Sequence, residues 1–170
     1  MKVNQPLAGR LMTILVETEA LHRSLVDTDK KAEEKVAKGK GKKDKKEKEK
    51  ERRPASIPVN DQIKALLASL DKASQYSKLA GPSRVALEKI ISASRARLKD
   101  AQSVSKSPKK KIEFISEAFR QIMQIAQMYE LNHQYKMFFC SKDRAMWLQS
   151  GGKAQHPFDN KLKSCGMVMR

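Results

Sequence analysis

The sequence predicts an all-α fold: a three- or four-helix antiparallel bundle with a disordered lysine-rich insertion after the first helix. Three observations carry this expectation. Apolar residues recur at helical spacing in four separate segments. No segment shows the strict alternation of apolar and polar residues that marks a half-buried strand. The stretch from Lys38 to Arg53 contains no large apolar residue, so it cannot bury enough surface to offset the entropy of ordering it.

Each element follows from local chemistry. Leu7, Leu11, Ile14, Leu15, Leu21 and Leu25 define one face of a first helix over about residues 6–37. Gly39 and Gly41 weaken helix beyond it, and Pro54 and Pro58 stop helix on the far side. Ile63, Leu66, Leu67 and Leu70 mark a second helix over about 60–79, with Asn60 as its expected N-cap. Gly81-Pro82-Ser83 reads as a break, with Ser83 capping a third helix over about 84–103 on Leu87, Ile90, Ile91 and Leu98. Ser107 is the N-cap of a fourth helix and Pro108 its first residue, where a missing N–H is harmless. Ile112, Ile115, Phe119, Ile122, Ala126, Tyr129 and His133 carry this helix to about residue 140, with an extension to Gln149 left open and Gly151-Gly152 ending it. Short breaks between helices two, three and four imply antiparallel neighbours. The expected organisation is a first helix (1–37), a basic linker (38–58), a helical domain (59–150) and a tail (151–170). The first helix either completes the bundle across the linker or docks on a partner.

Composition sets outer bounds. A chain of 170 residues allows one domain, or one domain with tails. No apolar run reaches the roughly 18 residues a membrane-spanning helix needs. Glu17 and Glu19 interrupt the apolar N-terminal stretch, so no signal peptide is expected. Two cysteines, Cys140 and Cys165, make no disulfide framework, and free thiols in a reducing compartment are the expectation. That expectation makes the protein intracellular and soluble, nuclear in a eukaryotic cell, or alternatively secreted into a host cell.

The formal net charge is +17, from 36 Lys and Arg against 19 Asp and Glu. Residues 30–53 contribute +7 and residues 54–170 contribute +11, so the excess is not confined to the low-complexity linker. This division points to a nucleic acid or another polyanion as partner. The candidate contacts are Lys42, Lys43, Lys45, Lys46, Arg52 and Arg53 in the linker, Arg84, Arg95 and Lys99 on the third helix, and Lys106, Lys109, Lys110 and Lys111 at the start of the fourth. Free N–H groups at a helix start suit an anion such as phosphate. Ser107-Pro108-Lys109-Lys110 also resembles the S-P-K-K element of histone tails, which lies along minor grooves, and a proline-directed phosphorylation site. The competing readings are a solvated helix face and a spacer or nuclear-import linker.

The alternative function is a protein-interaction module, a scaffold subunit or secreted microbial effector, docking an acidic or helical partner. Phe138, Phe139 and Trp147, interleaved with Lys136, Lys142 and Arg144, are its candidate anchors, or else stacking platforms or core. No catalytic residue, cofactor or metal is expected. Glu19-x-x-His22 and Glu130-x-x-His133 have the spacing of di-iron ligands, but helices two and three offer only Asp71 and Glu88 to complete such a site. Cys140 and His133 are two turns apart on the expected helix, too far for a nucleophile pair. No Cys/His set has zinc spacing.

Overall fold

The computed structural model describes residues 5–38, 58–75, 81–104, 107–131 and 135–169, apart from the side chains of 28–38, 82 and 160. The expected basic linker, including Lys42, Lys43, Lys45, Lys46, Arg52 and Arg53, and also Lys106, lies outside the described residues. Among those described, the chain forms α1 (Gln5–Lys38), α2 (Val59–Ser74), α3 (Gly81–Ser103), α4 (Pro108–Met128), β1 (Lys136–Phe139), β2 (Met146–Gln149) and β3 (Met167–Val168). It is mostly helical but not all-α. The expected fourth helix is shorter, and its last turns and the tail form a small sheet instead.

The helices bury the faces their periodicity predicts. Leu7, Leu11, Ile14, Leu15 and Leu21 of α1 and Ile63, Leu66 and Leu70 of α2 are fully buried, in one core shared with α3, α4 and the sheet. Thus α1 packs on the rest of the chain, most extensively on α2. Pro58, not Asn60, occupies the N-cap of α2 and makes no side-chain cap. The Pro58 carbonyl takes the Asp61 and Gln62 amides at 2.9 and 3.2 Å, which moves the N-cap back by two residues. Asn60 therefore lies in the first turn, where its side chain accepts from Lys111 Nζ. Gly81 begins α3 at φ +71°, a conformation that favours glycine. Ser107 caps α4 as expected, accepting from the Lys110 amide at 3.5 Å, with Pro108 next. α3 and α4 form a helical hairpin. Arg97 clamps it, reaching Glu117 at 2.6 Å and lying 5.8 Å from the Phe114 ring centroid.

α4 stops at Met128 because Glu130 turns left-handed, at φ +52°. The Leu131 amide bonds back to the Ala126 carbonyl at 3.0 Å and the Glu130 amide to Gln127 at 3.4 Å. This pair of bonds is a Schellman cap, closed here by glutamate where glycine is usual. Beyond it β1 is the central strand of an antiparallel sheet ordered β2-β1-β3. Phe138 faces Trp147 on one side and Val168 on the other.

The sheet packs against α1 and α4. Phe158 sets its ring edge against Phe119 of α4 at 5.7 Å. Gln149, 6% exposed, organises the loop after β2 with all its polar capacity engaged. Its Oε1 accepts from Trp147 Nε1 and the Gln155 amide, and its Nε2 donates to the Gly151 and Lys153 carbonyls. Cys140 and Cys165 are disulfide-bonded, correcting the expectation of two free thiols. Pairing of β1 with β3 brings the two strand ends together, although the cysteines are 25 residues apart. Closing a loop of that length is worth about 3 kcal/mol in chain-entropy terms.

Candidate functional site

Among the described residues, the predicted bases Arg84, Arg95, Lys99, Lys109, Lys110 and Lys111 are spread along α3 and the start of α4. Arg84 and Arg95 are both engaged, Arg84 with Glu88 at 2.7 Å and Arg95 with Asp71 at 2.7 Å. Arg84 also sits at the far end of α3 from the α3–α4 turn, about 28 Å along the helix from Ser103 at 1.5 Å per residue. It is therefore remote from Lys109, Lys110 and Lys111. Lys111 is tied to Asn60. Lys99, Lys109 and Lys110 are exposed, and among the described residues they form no ion pair.

A second group of bases lies on the sheet-bearing end, residues 135–169. Lys136, Lys142, Arg144, Lys153, Lys161 and Lys163 are all exposed there. Only Asp143 and Asp159 oppose them in that stretch, and both acids have internal tasks. Asp159 caps the 3-10 turn that follows, accepting from the Lys161 amide at 2.8 Å. Asp143 Oδ1 accepts from the Ala145 amide at 3.0 Å, while its Oδ2 lies 2.9 Å from His156 Nε2. A groove of about 630 Å³ separates this end from α4 and is lined by Lys109, Arg120, Glu113, Glu117, Asp143 and Asp159, among others. Its carboxylates outnumber its bases, so phosphate is not expected inside it. The groove does place the α4 entrance beside the basic sheet end.

Phe138 and Trp147 are core residues, 3% and 0% exposed, and their rings stack at 5.7 Å. Phe139 is half-buried. This places two of the three candidate docking anchors inside the sheet's own core. Among the described residues the exposed large apolar side chains are Val16, Val85, Met167 and Val168.

The first Glu-x-x-His pair, Glu19 and His22, does other work. Glu19 accepts from the Ser150 amide at 2.7 Å and from Arg23 at 3.0 Å, and His22 Nε2 donates to the Gln155 carbonyl at 2.8 Å. Both therefore fasten α1 to the loop after β2. His133 lies outside the described residues.

Instead, the fold assembles a cluster that spacing alone did not mark. One ligating atom from each of Cys140, Asp143 and His156 lies within 4.8 Å of the other two, and Cys165 is bonded to Cys140. The turn from Cys140 to Ala145, closed by the Cys140 amide on the Ala145 carbonyl at 3.0 Å with Arg144 at φ +59°, folds Asp143 back over Cys140. His156 arrives from the loop after β2 with its side chain fully buried. The available sequence signal was Cys-x-x-Asp, a two-residue spacing like that of metal knuckles with one sulfur replaced by a carboxylate. No protein family, curated protein or solved structure matches this chain.

Proposed function

We propose that the protein binds nucleic acid through the phosphate backbone, with little sequence preference and no catalytic step. The observation that carries the reading is the excess of exposed bases over acids at the sheet-bearing end. Six exposed bases stand there against two acids, and Lys109 at the start of α4 lines the groove beside that end. Such a surface gains affinity by releasing counterions from the phosphates it neutralises. Burial of Phe138 and Trp147 leaves no stacking platform on those residues, which favours duplex backbone over unpaired bases. The small number of exposed large apolar side chains weighs against a docking module that works through a broad apolar face.

Binding to a generic duplex and a generic single strand across a salt series tests this. The duplex is expected to bind at least as tightly as the strand, with affinity falling steeply as salt rises. Replacing Lys109, Lys110, Lys142 and Arg144 together by Gln removes up to four contacts and should flatten the slope by as much as about 0.9 per contact, with helicity unchanged. An unchanged slope, or no binding at low salt by a fully helical protein, sinks the reading.

A further inference from the structure

We propose that Cys140, Asp143, His156 and Cys165 form a zinc site that alternates with the Cys140–Cys165 disulfide, so that reduction opens a metal-binding state of the same fold. The site is independent of the nucleic-acid reading. Two thiolates, an imidazole and a carboxylate are a donor set suited to four-coordinate Zn²⁺. Cys140, Asp143 and His156 already place their ligating atoms within 4.8 Å of one another. Cys165, bonded to Cys140, brings the fourth. Once reduced, the sulfurs need only separate to the ~3.7 Å that two Zn–S bonds of about 2.3 Å span in a tetrahedron.

Three features point to a cation there. First, His156 is buried, yet its Nε2 has no hydrogen-bond partner, although Asp143 Oδ2 lies 2.9 Å away. The two groups are close without being hydrogen-bonded, and a ligating atom from each lies within 4.8 Å of the other and of one from Cys140. Second, the supporting contacts are in place. The Ala145 amide fixes Asp143 through Oδ1 and leaves Oδ2 toward the histidine, while Trp147 and Phe158 pack edgewise on the imidazole at 5.0 and 5.9 Å. Third, the field is right. Asp143 is the exposed wall of the cluster and also lines the groove with Glu113, Glu117 and Asp159 opposite only Lys109 and Arg120, an acidic inlet on a chain of +17.

The chemistry balances with a cellular dithiol as reductant. Its two thiols give two electrons and two protons to the Cys140–Cys165 bond. That bond breaks, the reductant closes its own disulfide, and the protein gains two thiols. Zn²⁺ then forms two Zn–S bonds, one Zn–N bond and one Zn–O bond, and the two thiol protons leave to solvent. In the disulfide state His156 Nδ1 accepts from the Phe158 and Asp159 amides at 3.2 and 3.1 Å, so the ring proton is on Nε2. Ligation through Nε2 moves that proton to Nδ1 and releases both amides. The loop 157–159 is thus the part that shifts.

Cobalt(II) is the probe, added to full-length protein with and without a phosphine reductant. The reduced protein is expected to bind one equivalent, with the visible absorption of a tetrahedral site and a thiolate-to-cobalt charge-transfer band. Zinc displaces the cobalt, and the oxidised protein shows neither band. Cys165→Ser, which removes one thiolate, should halve the charge-transfer intensity. Asp143→Asn, at a partly exposed position, should weaken binding by more than the about 10–100-fold typical of losing a supporting group alone. Faster hydrogen exchange at Phe158 and Asp159 on zinc binding is the matching structural readout. A reduced protein that gives only the pale spectrum of hydrated cobalt overturns the proposal, as does cobalt binding that Asp143→Asn and Cys165→Ser leave unchanged.

Discussion

Gly166 is small because its neighbours leave no room. A Cβ there would meet Ala154 Cβ and Trp147 Cη2 at 2.8 Å and Trp147 Cζ2 at 2.9 Å. Trp147 cannot retreat. It is fully buried, stacked on Phe138, edged by His156 and held by its Nε1 bond to Gln149. Gly166→Ala is therefore expected to destabilise the fold by about 1–3 kcal/mol, the range for overpacking a rigid core. Urea denaturation should show a lower midpoint at unchanged slope. An unchanged midpoint would mean that the tryptophan can move. Nothing in the sequence marks this glycine, because the constraint comes from a side chain 19 residues earlier that the sheet brings against it.

The helices were legible and the sheet was not, for opposite physical reasons. α1 to α3 each bury one face, so their apolar residues recur every three or four positions. β1 and β2 are covered on both faces. Met137 and Phe138 are consecutive and both buried, as are Trp147, Leu148 and Gln149, so no alternation exists to be read. Without a competing strand pattern, the apolar residues after Met128 extended the helix. The stop at Glu130 was equally silent, since a left-handed cap is usually announced by glycine. Glutamate tolerates φ +52° at a cost, and a β-branched residue tolerates it far less. Glu130→Val is thus expected to destabilise by about 1–3 kcal/mol. Thermal unfolding followed at the α4 helical signal would register it, and a Tm equal to wild type would count against the cap. The candidate site divides along the same line. Single lysines at the α4 entrance could be named from the sequence, but the cluster of Cys140, Asp143, His156 and Cys165 exists only once two strands pair.

The molecule as a whole is joined by a buried polar seam between α1 and the loop after β2, and this makes its stability depend on pH. Burial lowers the pKa of His22 below its usual 6.5, and the opposing pull of the Gln155 carbonyl and Glu19 does not restore it. Burial raises that of Glu19, but the hydrogen bonds from Ser150 and the bond and charge of Arg23 outweigh it, leaving the carboxyl below its usual 4.5. Both groups therefore bind protons more weakly folded than unfolded, and acid favours the unfolded chain. The His22 contribution is whole above about pH 6.5 and is lost as pH falls toward its lowered folded value. The Glu19 contribution is whole above about 4.5 and is lost below that. Protonation of His22 would also put a charge on a ring whose Nδ1 is buried without a partner. The urea midpoint is accordingly expected to fall steadily from pH 7 to about pH 3, in two stages. His22→Gln should flatten the upper stage and Glu19→Gln the lower, each at some loss of stability at pH 7, because each removes a contact to the loop after β2. A midpoint that rises on acidification, or a His22→Gln profile as steep as wild type between pH 7 and 5, would show that this seam does not couple α1 to the sheet in the manner its geometry requires.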